Sequence, residues 1–128
     1  MLVAKAAGAT VTAITDISEN RLAFAKGKGA DMTAKVPEGL AGLDSTSWDV
    51  AIDCTGVAAS TATLIGAVRK GGTVVLVGMG SQNIDIQPIL VKELDMVGVF
   101  RYCNTYPIGP PAPSPAPRPP LLLAAACC

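Results

Sequence analysis

The apolar positions of this chain fall into short blocks whose spacing alternates between that of strands and that of helices. Apolar and β-branched residues run through 10–15, 48–53 and 73–77, as in strands that are covered on both faces of a sheet. Between these blocks, apolar residues recur at intervals of three and four, as on one face of a helix. The alternation predicts an α/β fold in which helices cover both sides of a parallel sheet.

Glycine, polar and charged residues predict where the remaining elements begin and end. Gly8 is placed to end a first helix in the left-handed conformation, and Ser18 is placed to cap a second. Arg69 and Lys70 are predicted in the last turn of a third helix, where cations complement the helix dipole. We therefore predict helices at 1–7, 19–28, 57–69 and 87–94, a weak strand at 31–36 and a last strand at 96–100.

The composition changes sharply after Tyr106. Eight of the ten prolines lie between 107 and 120, and such a segment has too few backbone donors for regular secondary structure. We therefore divide the chain into one domain at 1–106 and a disordered, Pro-rich tail at 107–128.

Charge and cysteine content narrow the class of protein. The chain is 50% hydrophobic and has ten basic and ten acidic residues, so we expect no basic surface for nucleic acid. Its apolar runs are shorter than the roughly 18 residues of a membrane-spanning helix. Four cysteines without metal-ligand spacing are typical of the reducing cytoplasm. Histidine is absent, which excludes from this chain any nucleophile that a histidine activates.

Asp16 is the first candidate for a ligand-binding role. It ends the strand 10–15, and in an open parallel sheet ligands bind outside the carboxyl ends of the strands. An ionised carboxylate at that position can accept two hydrogen bonds from a ribose diol. Aspartate is also common as a simple turn residue after a strand, and the strand alone favours that interpretation. The rest of the chain instead favours the interpretation of Asp16 as a ribose-binding residue.

Four segments together resemble one known family. They are GATVTAITDISENRLAFAKGKGAD, WDVAIDCTGVAAS, GGTVVLVGMGS and DMVGVFRYCNTYP, which are similar to the coenzyme domain of the zinc-dependent medium-chain polyol dehydrogenases, the sorbitol and xylitol dehydrogenase group. The resemblance covers about residues 2–107. It implies a Rossmann-like, doubly wound sheet and the oxidation of a sugar alcohol to a ketone by hydride transfer to NAD, with the alcohol held on a catalytic zinc.

The resemblance also implies roles for residues that follow the strands. Asp16 would bind the adenosine ribose and Arg21 would lie beside the adenine. Since a carboxylate repels a 2′-phosphate, we expect NAD rather than NADP. Arg101 and Tyr102 would lie beside the substrate, although Arg101 alone could be a surface charge. Cys54 is expected to be a small buried side chain rather than a redox group. The further cofactor-binding positions are expected to be Cys54, Thr55, Gly56, Val77, Gly78, Met79, Val99, Phe100 and Arg101.

The sequence departs from that family in two ways. The first strand and its Gly-x-Gly-x-x-Gly turn are absent from the 128 residues, so the pyrophosphate of NAD would lose its backbone donors. We expect this loss to weaken NAD binding by about 100-fold to 1,000-fold or more. The catalytic half with its zinc ligands is also absent. The second departure is the tail, because the family continues past the NTYP segment into a returning strand of the catalytic domain, whereas this chain turns to prolines. The sequence is therefore interpreted as a fragment that does not oxidise polyols alone.

The absent strand has a structural consequence, because it is the central one in the order 3-2-1-4-5-6. Strands 10–15 and 48–53 would then face an empty slot roughly 10 Å wide, or collapse together. Unpaired central strand edges are costly, so we expect low stability and aggregation.

Two other functions remain open from the residues alone. A nucleotide-binding methyltransferase also places an acid after its second strand to hold a ribose. A non-catalytic protein could instead associate with an intact dehydrogenase through 84–94, the region that resembles the family's subunit interface. The same region could form a homo-oligomer. Within it, Ile89, Leu90 and Leu94 are expected to face the core.

Overall fold

A computed structural model describes residues 1–36, 48–80, 83–101 and 121–126. Each pair of neighbouring strands in these ranges is parallel, and the sheet order is β2-β1-β6-β3-β4-β5. The predicted α/β fold with a parallel sheet is confirmed. The elements are α1 (Leu2–Ala6), β1 (Ala9–Asp16), α2 (Glu19–Gly27), β2 (Met32–Lys35), β3 (Trp48–Asp53), α3 (Ala58–Ala67), β4 (Val68–Leu76), α4 (Gln87–Lys92), β5 (Asp95–Gly98) and β6 (Leu121–Ala126).

The first elements lie close to their predicted positions. Gly8 ends α1 with a φ of 100°, a conformation that glycine adopts without the steric cost of a Cβ. Ser18 occupies the position before α2, but the prediction that its side chain caps the helix was wrong. Instead, the backbone N–H of Ser18 donates to Asp16 Oδ1 at 2.8 Å. The turn after β1 is therefore closed by the aspartate and not by the serine.

Two apolar clusters hold the helices on the sheet. A small cluster of Ile14, Leu22 and Ala30 lies beneath α2. The main core lies between α3 and the β3–β4 region of the sheet, where each fully buried aliphatic side chain contributes about 1.5–3 kcal/mol. Its buried members are Ala13, Trp48, Ala51, Leu64, Ile65, Ala67, Val68, Val74 and Leu94.

The end of α3 differs from the prediction. The helix stops at Ala67, and Arg69 and Lys70 belong to β4, so their predicted place in a helical turn was wrong. The cation at this helix end is Lys92, which arrives from α4. Its ammonium group donates to three carbonyl oxygens at the helix terminus, where a positive charge complements the helix dipole. These are the carbonyls of Ile65 at 3.0 Å, Gly66 at 2.5 Å and Val68 at 2.9 Å.

Helix α4 is shorter than predicted and exposes one residue that was expected inside. Ile89 packs against the main core and Leu94 is buried, as expected. Leu90 is 70% exposed, so its predicted burial was wrong. The helix ends at Lys92, and the left-handed conformation of Glu93 (φ 54°) redirects the chain. Leu94 thereby returns to the core, whereas Leu90 stays on the open face.

Strand β6 occupies the place where we expected an empty slot or a collapse. Its backbone pairs with β1 from Ala9 to Thr15 on one side and with β3 from Val50 to Asp53 on the other. The sheet therefore has the doubly wound order, with a segment from the end of the sequence in the central position. The expectation of a gap was wrong, because an apolar segment of the same chain meets the backbone groups of both strand edges. Disorder throughout 107–128 was likewise wrong for 121–126, while 107–120 and 127–128 lie outside the described residues.

Asp31, which directly precedes β2, joins α1 to β1. Asp31 Oδ2 accepts hydrogen bonds from the Thr12 hydroxyl at 2.7 Å and the Thr12 N–H at 2.8 Å. The ammonium of Lys5 lies 3.0 Å from the same oxygen. The hydrogen bonds from Thr12, followed by that from Lys5, lower the pKa of Asp31 to about 2.

The low pKa of Asp31 predicts a loss of stability in acid. Because the folded-state pKa is below the usual value of 3.8, the stabilisation is present above about pH 4 and is lost as the pH falls towards 2. We expect Asp31→Asn to be less stable than the wild type at pH 7, with the difference shrinking between pH 4 and pH 2. Urea midpoints measured across this range test the expectation, with Asp95→Asn as the control. A difference that stays constant down to pH 2 would contradict it.

Candidate functional site

The residues singled out in the sequence lie at one edge of the sheet. Because all strands run in the same direction, their carboxyl ends open at that edge, where ligands bind in open α/β sheets. Four segments of the chain lie there, and each contains residues predicted to bind the cofactor or substrate. Asp16 is the last residue of β1 and Arg21 lies in the first turn of α2, while the other predicted residues follow β3 (54–56), β4 (77–79) and β5 (99–101).

Asp16 presents one carboxylate oxygen without a hydrogen bond. Its side chain is buried at the end of β1, and Oδ1 accepts the N–H of Ser18 at 2.8 Å. Oδ2 is buried without a hydrogen-bond partner among the described residues. Its nearest cationic neighbour is Arg21, whose Nη1 lies 3.6 Å away and whose side chain is 58% exposed. An unsatisfied buried acceptor is costly, so this oxygen retains a hydrogen-bonding capacity that the described residues do not use.

Asp53 organises the second part of the site, and the sequence reasoning missed this role. The carboxylate is fully buried. Oδ1 accepts the N–H and hydroxyl of Thr55 at 2.9 and 2.7 Å, and Oδ2 accepts the Thr61 hydroxyl at 2.7 Å. Its backbone carbonyl accepts the N–H groups of Val77 and Gly78 at 2.8 and 3.0 Å. Asp53 therefore holds together the loop after β3, the first turns of α3 and the loop after β4. Hydroxyl residues two and eight positions after a strand-ending acid were the available signal.

Three glycines let the loops after β3 and β4 meet backbone to backbone. Gly56 has a φ of +70°, and a Cβ there would lie 2.6 Å from the carbonyl oxygen of Met79. A Cβ on Gly78 or Gly80 would overlap the backbone of Gly56. Gly56 and Gly78 were predicted cofactor positions, whereas Gly80 was not. This contact makes a flat backbone surface that a planar ring can approach closely.

Exposed apolar side chains border that surface. The exposed fractions are 42% for Val77, 81% for Met79, 45% for Val99 and 71% for Phe100. The Val99 N–H donates to the carbonyl of Leu76 at 2.9 Å, which fixes the loop after β5 beside β4. These residues are therefore available for contact with a ligand or with another protein segment.

Arg101 and Cys54 complete the described edge. Arg101 has a positive φ of 63°, which is rare for a residue with a side chain. Its guanidinium lies 4.9 Å from the centre of the Phe100 ring, within reach of a cation–π interaction. Cys54 is exposed, so its predicted burial was wrong; it lies beyond the end of β3 and outside the core. Tyr102 lies outside the described residues.

The structure groups the predicted residues into two parts on either side of β6. Asp16 and Arg21 lie at the end of β1, whereas the loops at 54–56 and 77–80 contact each other at the ends of β3 and β4. The loop at 99–101 continues the second part towards the sheet edge. A ligand that contacts both parts must therefore cross the end of the central strand, as an extended dinucleotide does in the doubly wound fold.

The described ranges contain neither a metal-binding cluster nor a membrane-spanning helix. Within the described ranges, no group of three or more His, Cys, Asp or Glu side chains is arranged to hold a metal ion. The residues described therefore do not fit a catalytic zinc. None of the helices in these ranges has both the length and the apolar character needed to cross a bilayer.

Comparisons with known proteins identify the family. Residues 1–109 match the family model described as zinc-binding dehydrogenase. The chain is 46% identical to sorbitol dehydrogenase of Macaca fascicularis over 119 residues and 43% identical to that of Mus musculus over 118. Each alignment covers 84% of this chain and 33% of the relative. The chain thus spans about a third of the length of these curated relatives.

Solved structures agree with this relationship. 2R,3R-butanediol dehydrogenase from Bacillus subtilis is similar over 81% of this chain and 32% of that one, with a TM-score of 0.74 and 26% identity. L-idonate 5-dehydrogenase from Escherichia coli is similar over 80% of this chain and 32% of that one, with a TM-score of 0.72 and 25% identity. Since the family model spans most of the sequence, the chain belongs to the zinc-binding dehydrogenase family.

Proposed function

We propose that this chain forms the NAD-binding part of a polyol dehydrogenase. The observation that carries the proposal is the Asp16 carboxylate, buried at the carboxyl end of β1 with Oδ2 free of hydrogen bonds among the described residues. An oxygen in this position can accept the hydroxyl groups of the adenosine ribose. The similarity to sorbitol dehydrogenases supports a sugar alcohol as the substrate class of the complete enzyme.

The other residues at this edge are given roles that follow from their chemistry. Arg21 is largely exposed beside Asp16 and can lie against the adenine. The backbone surface formed by Gly56 and Gly78 supports the nicotinamide end, bordered by the loops at 77–79 and 99–101. Arg101 is placed to donate hydrogen bonds to polyol oxygens. NAD supplies the acceptor for a hydride, while these residues bind and orient it.

The same residues define what this part of the protein does not do alone. A second negative charge at the ribose is disfavoured by Asp16, so NAD is preferred to NADP. The described residues hold no cluster for zinc, so we assign them coenzyme binding without the oxidation step. The family assignment gives no support to the methyltransferase alternative.

A homo-oligomer through 84–94 remains part of the proposal. Ile86, Leu90 and Val91 are 64%, 70% and 65% exposed in the described structure. They form an apolar surface on and beside α4, next to the edge strand β5. Such surfaces commonly mark contacts between proteins.

The proposal is tested by titrating NAD into the full chain and its Asp16→Ala variant. Loss of charge-assisted hydrogen bonds to the ribose is expected to weaken NAD binding by about tenfold or more. The matched control is Asp95→Ala. Asp95 is exposed at the amino end of β5, so this change removes the same charge far from the carboxyl ends of the strands. We expect the control to bind NAD within about twofold of the wild type. Equal affinities for all three proteins would contradict the proposal.

A further inference from the structure

The central strand, β6, is held by backbone pairing with β1 on one side and with β3 on the other. β6 is aligned with β1 from Leu121 to Ala126 and with β3 from Leu123 to Ala126. β1 and β3 are separated by β6 in the sheet order, so neither strand pairs with the other. The slot between them therefore accepts one extended segment in a parallel orientation, with inter-strand spacings of about 4.8 Å on each side.

The segment that fills this slot is joined to the sheet by a long connection. β5 ends at Gly98 on the outer edge of the sheet, and β6 begins at Leu121 in its centre. To reach the slot, the chain must pass two strands and return to the amino end of the sheet, a path of roughly 25 Å. Residues 99–120 could span about 68 Å if extended at 3.1 Å per residue. The connection therefore does not force the segment into the slot of its own chain.

Recognition by backbone pairing and a permissive connection together make the segment exchangeable. We propose that the slot between β1 and β3 is a strand-accepting surface that binds residues 121–126 of a second copy of this chain as well as its own. Two chains that exchange this strand reciprocally reproduce every pairing of the monomer. A connection of this length gives the chain's own segment an effective concentration of about 1 mM. We expect about a tenth of the chains to be exchanged dimers at 100 µM, and more at higher concentration.

Sedimentation of the full chain over a concentration series tests this proposal. Ala124→Pro removes a backbone donor from the middle of the central strand, a position that proline does not tolerate. Ala112→Pro is the matched control, because it adds the same residue to the Pro-rich connection and leaves 121–126 unchanged. The dimer is expected in the wild type and in Ala112→Pro, and its amount is expected to fall at least tenfold in Ala124→Pro. No dimer in the wild type at several hundred micromolar would overturn the proposal. A dimer unaffected by Ala124→Pro would do the same.

A second measurement follows the binding of a separate peptide that contains the central strand. A fluorescent peptide of residues 115–128 is added to the wild-type chain and to Ala124→Pro, and binding is followed by anisotropy. The peptide should bind Ala124→Pro at least tenfold more tightly, since the intact chain competes with its own segment. A peptide that itself carries the Ala124→Pro change should not bind. Should Ala124→Pro be unfolded, chains of two isotopic compositions that carry Leu90→Asp should still form mixed dimers in a native mass spectrum, because this change disrupts the exposed surface at 84–94 and leaves the slot intact. Equal binding of both peptides, or the absence of mixed dimers, would overturn the proposal.

Discussion

Replacing Asp53 by asparagine is expected to lower the free energy of unfolding by about 3 kcal/mol. The buried carboxylate accepts hydrogen bonds from Thr55 and Thr61 through both of its oxygens. Asparagine keeps one oxygen but turns an amide donor towards groups that are already donors. Either the Thr55 N–H then faces another donor, or the buried Thr61 hydroxyl loses its 2.7 Å acceptor and keeps only the Val57 carbonyl at 3.4 Å. In both cases the contacts that join the loop after β3 to α3 are weakened.

Asp49→Asn is the matched control for this change, because it makes the same substitution in the same strand. The Asp49 carboxylate pairs with Arg69 at 2.6 Å, and the Arg69 side chain is 47% exposed. Partly exposed ion pairs of this kind contribute about 1 kcal/mol or less. Urea unfolding followed by the fluorescence of Trp48, the single tryptophan, measures both variants. A similar loss of stability for the two would show that Asp53 does not organise the loops.

Gly78→Ala is expected to cost about 3 kcal/mol of stability and to separate the two loops of the site. A Cβ on Gly78 would lie 2.7 Å from the carbonyl carbons of Cys54 and Thr55. Both obstructing groups are backbone, so no side chain can move aside to relieve the overlap. Displacing the loop also breaks the hydrogen bond from the Gly78 N–H to the Asp53 carbonyl.

Gly98→Ala provides the control for the glycine change. Gly98 ends β5 at the same edge of the sheet, and a Cβ there meets nothing within 4 Å. Its effect on stability should stay within about 0.5 kcal/mol. Amide NMR shifts at 54–56 should move in Gly78→Ala and stay in place in Gly98→Ala. Unchanged shifts in both variants would contradict the close approach of the loops.

The regular part of the fold could be predicted because local pattern and tertiary packing agree there. The strand 48–53 was predicted at its observed limits, since a buried apolar run bounded by turn residues has few alternatives. The end of α3 near Ala67 was harder to predict from the sequence, because its carbonyl groups are bound by Lys92 from a distant element. Arg69 and Lys70 lie close to the expected helix end, and they were predicted to supply the positive charge there. The sequence thus indicated that a cation stabilises the helix end, but not that Lys92 is the cation.

The central strand could not be predicted from local pattern. A proline-rich composition at 107–120 favours disorder, and a short apolar run such as 121–126 does not by itself distinguish a buried strand from a helical segment. Its pairing depends on two strand edges more than 60 positions away in the sequence. Such non-local pairing becomes visible only when the sheet is assembled.

The sequence was enough to place the loops of the candidate site, but not the contacts within them. The carboxyl ends of parallel strands gather at one edge whatever the side chains are, so the loops following each strand could be placed. Asp53 was missed because an acid at the end of an apolar strand looks like a turn residue. The exposure of Cys54 depends on where β3 ends relative to the loop after β4, which the sequence does not show.

NAD binding by this chain depends most on recognition of a ribose by Asp16, and a comparison of adenosine with 2′-deoxyadenosine tests this directly. Titration of each nucleoside into the full chain is followed by the ¹³C resonance of the Asp16 carboxyl group. Removing one hydroxyl should weaken binding by about tenfold in the wild type, since one charge-assisted hydrogen bond is lost. In Asp16→Ala, followed by amide resonances near residue 16, the two nucleosides should bind equally. A wild-type chain that binds both with the same affinity, and whose Asp16 resonance does not move, would contradict the account.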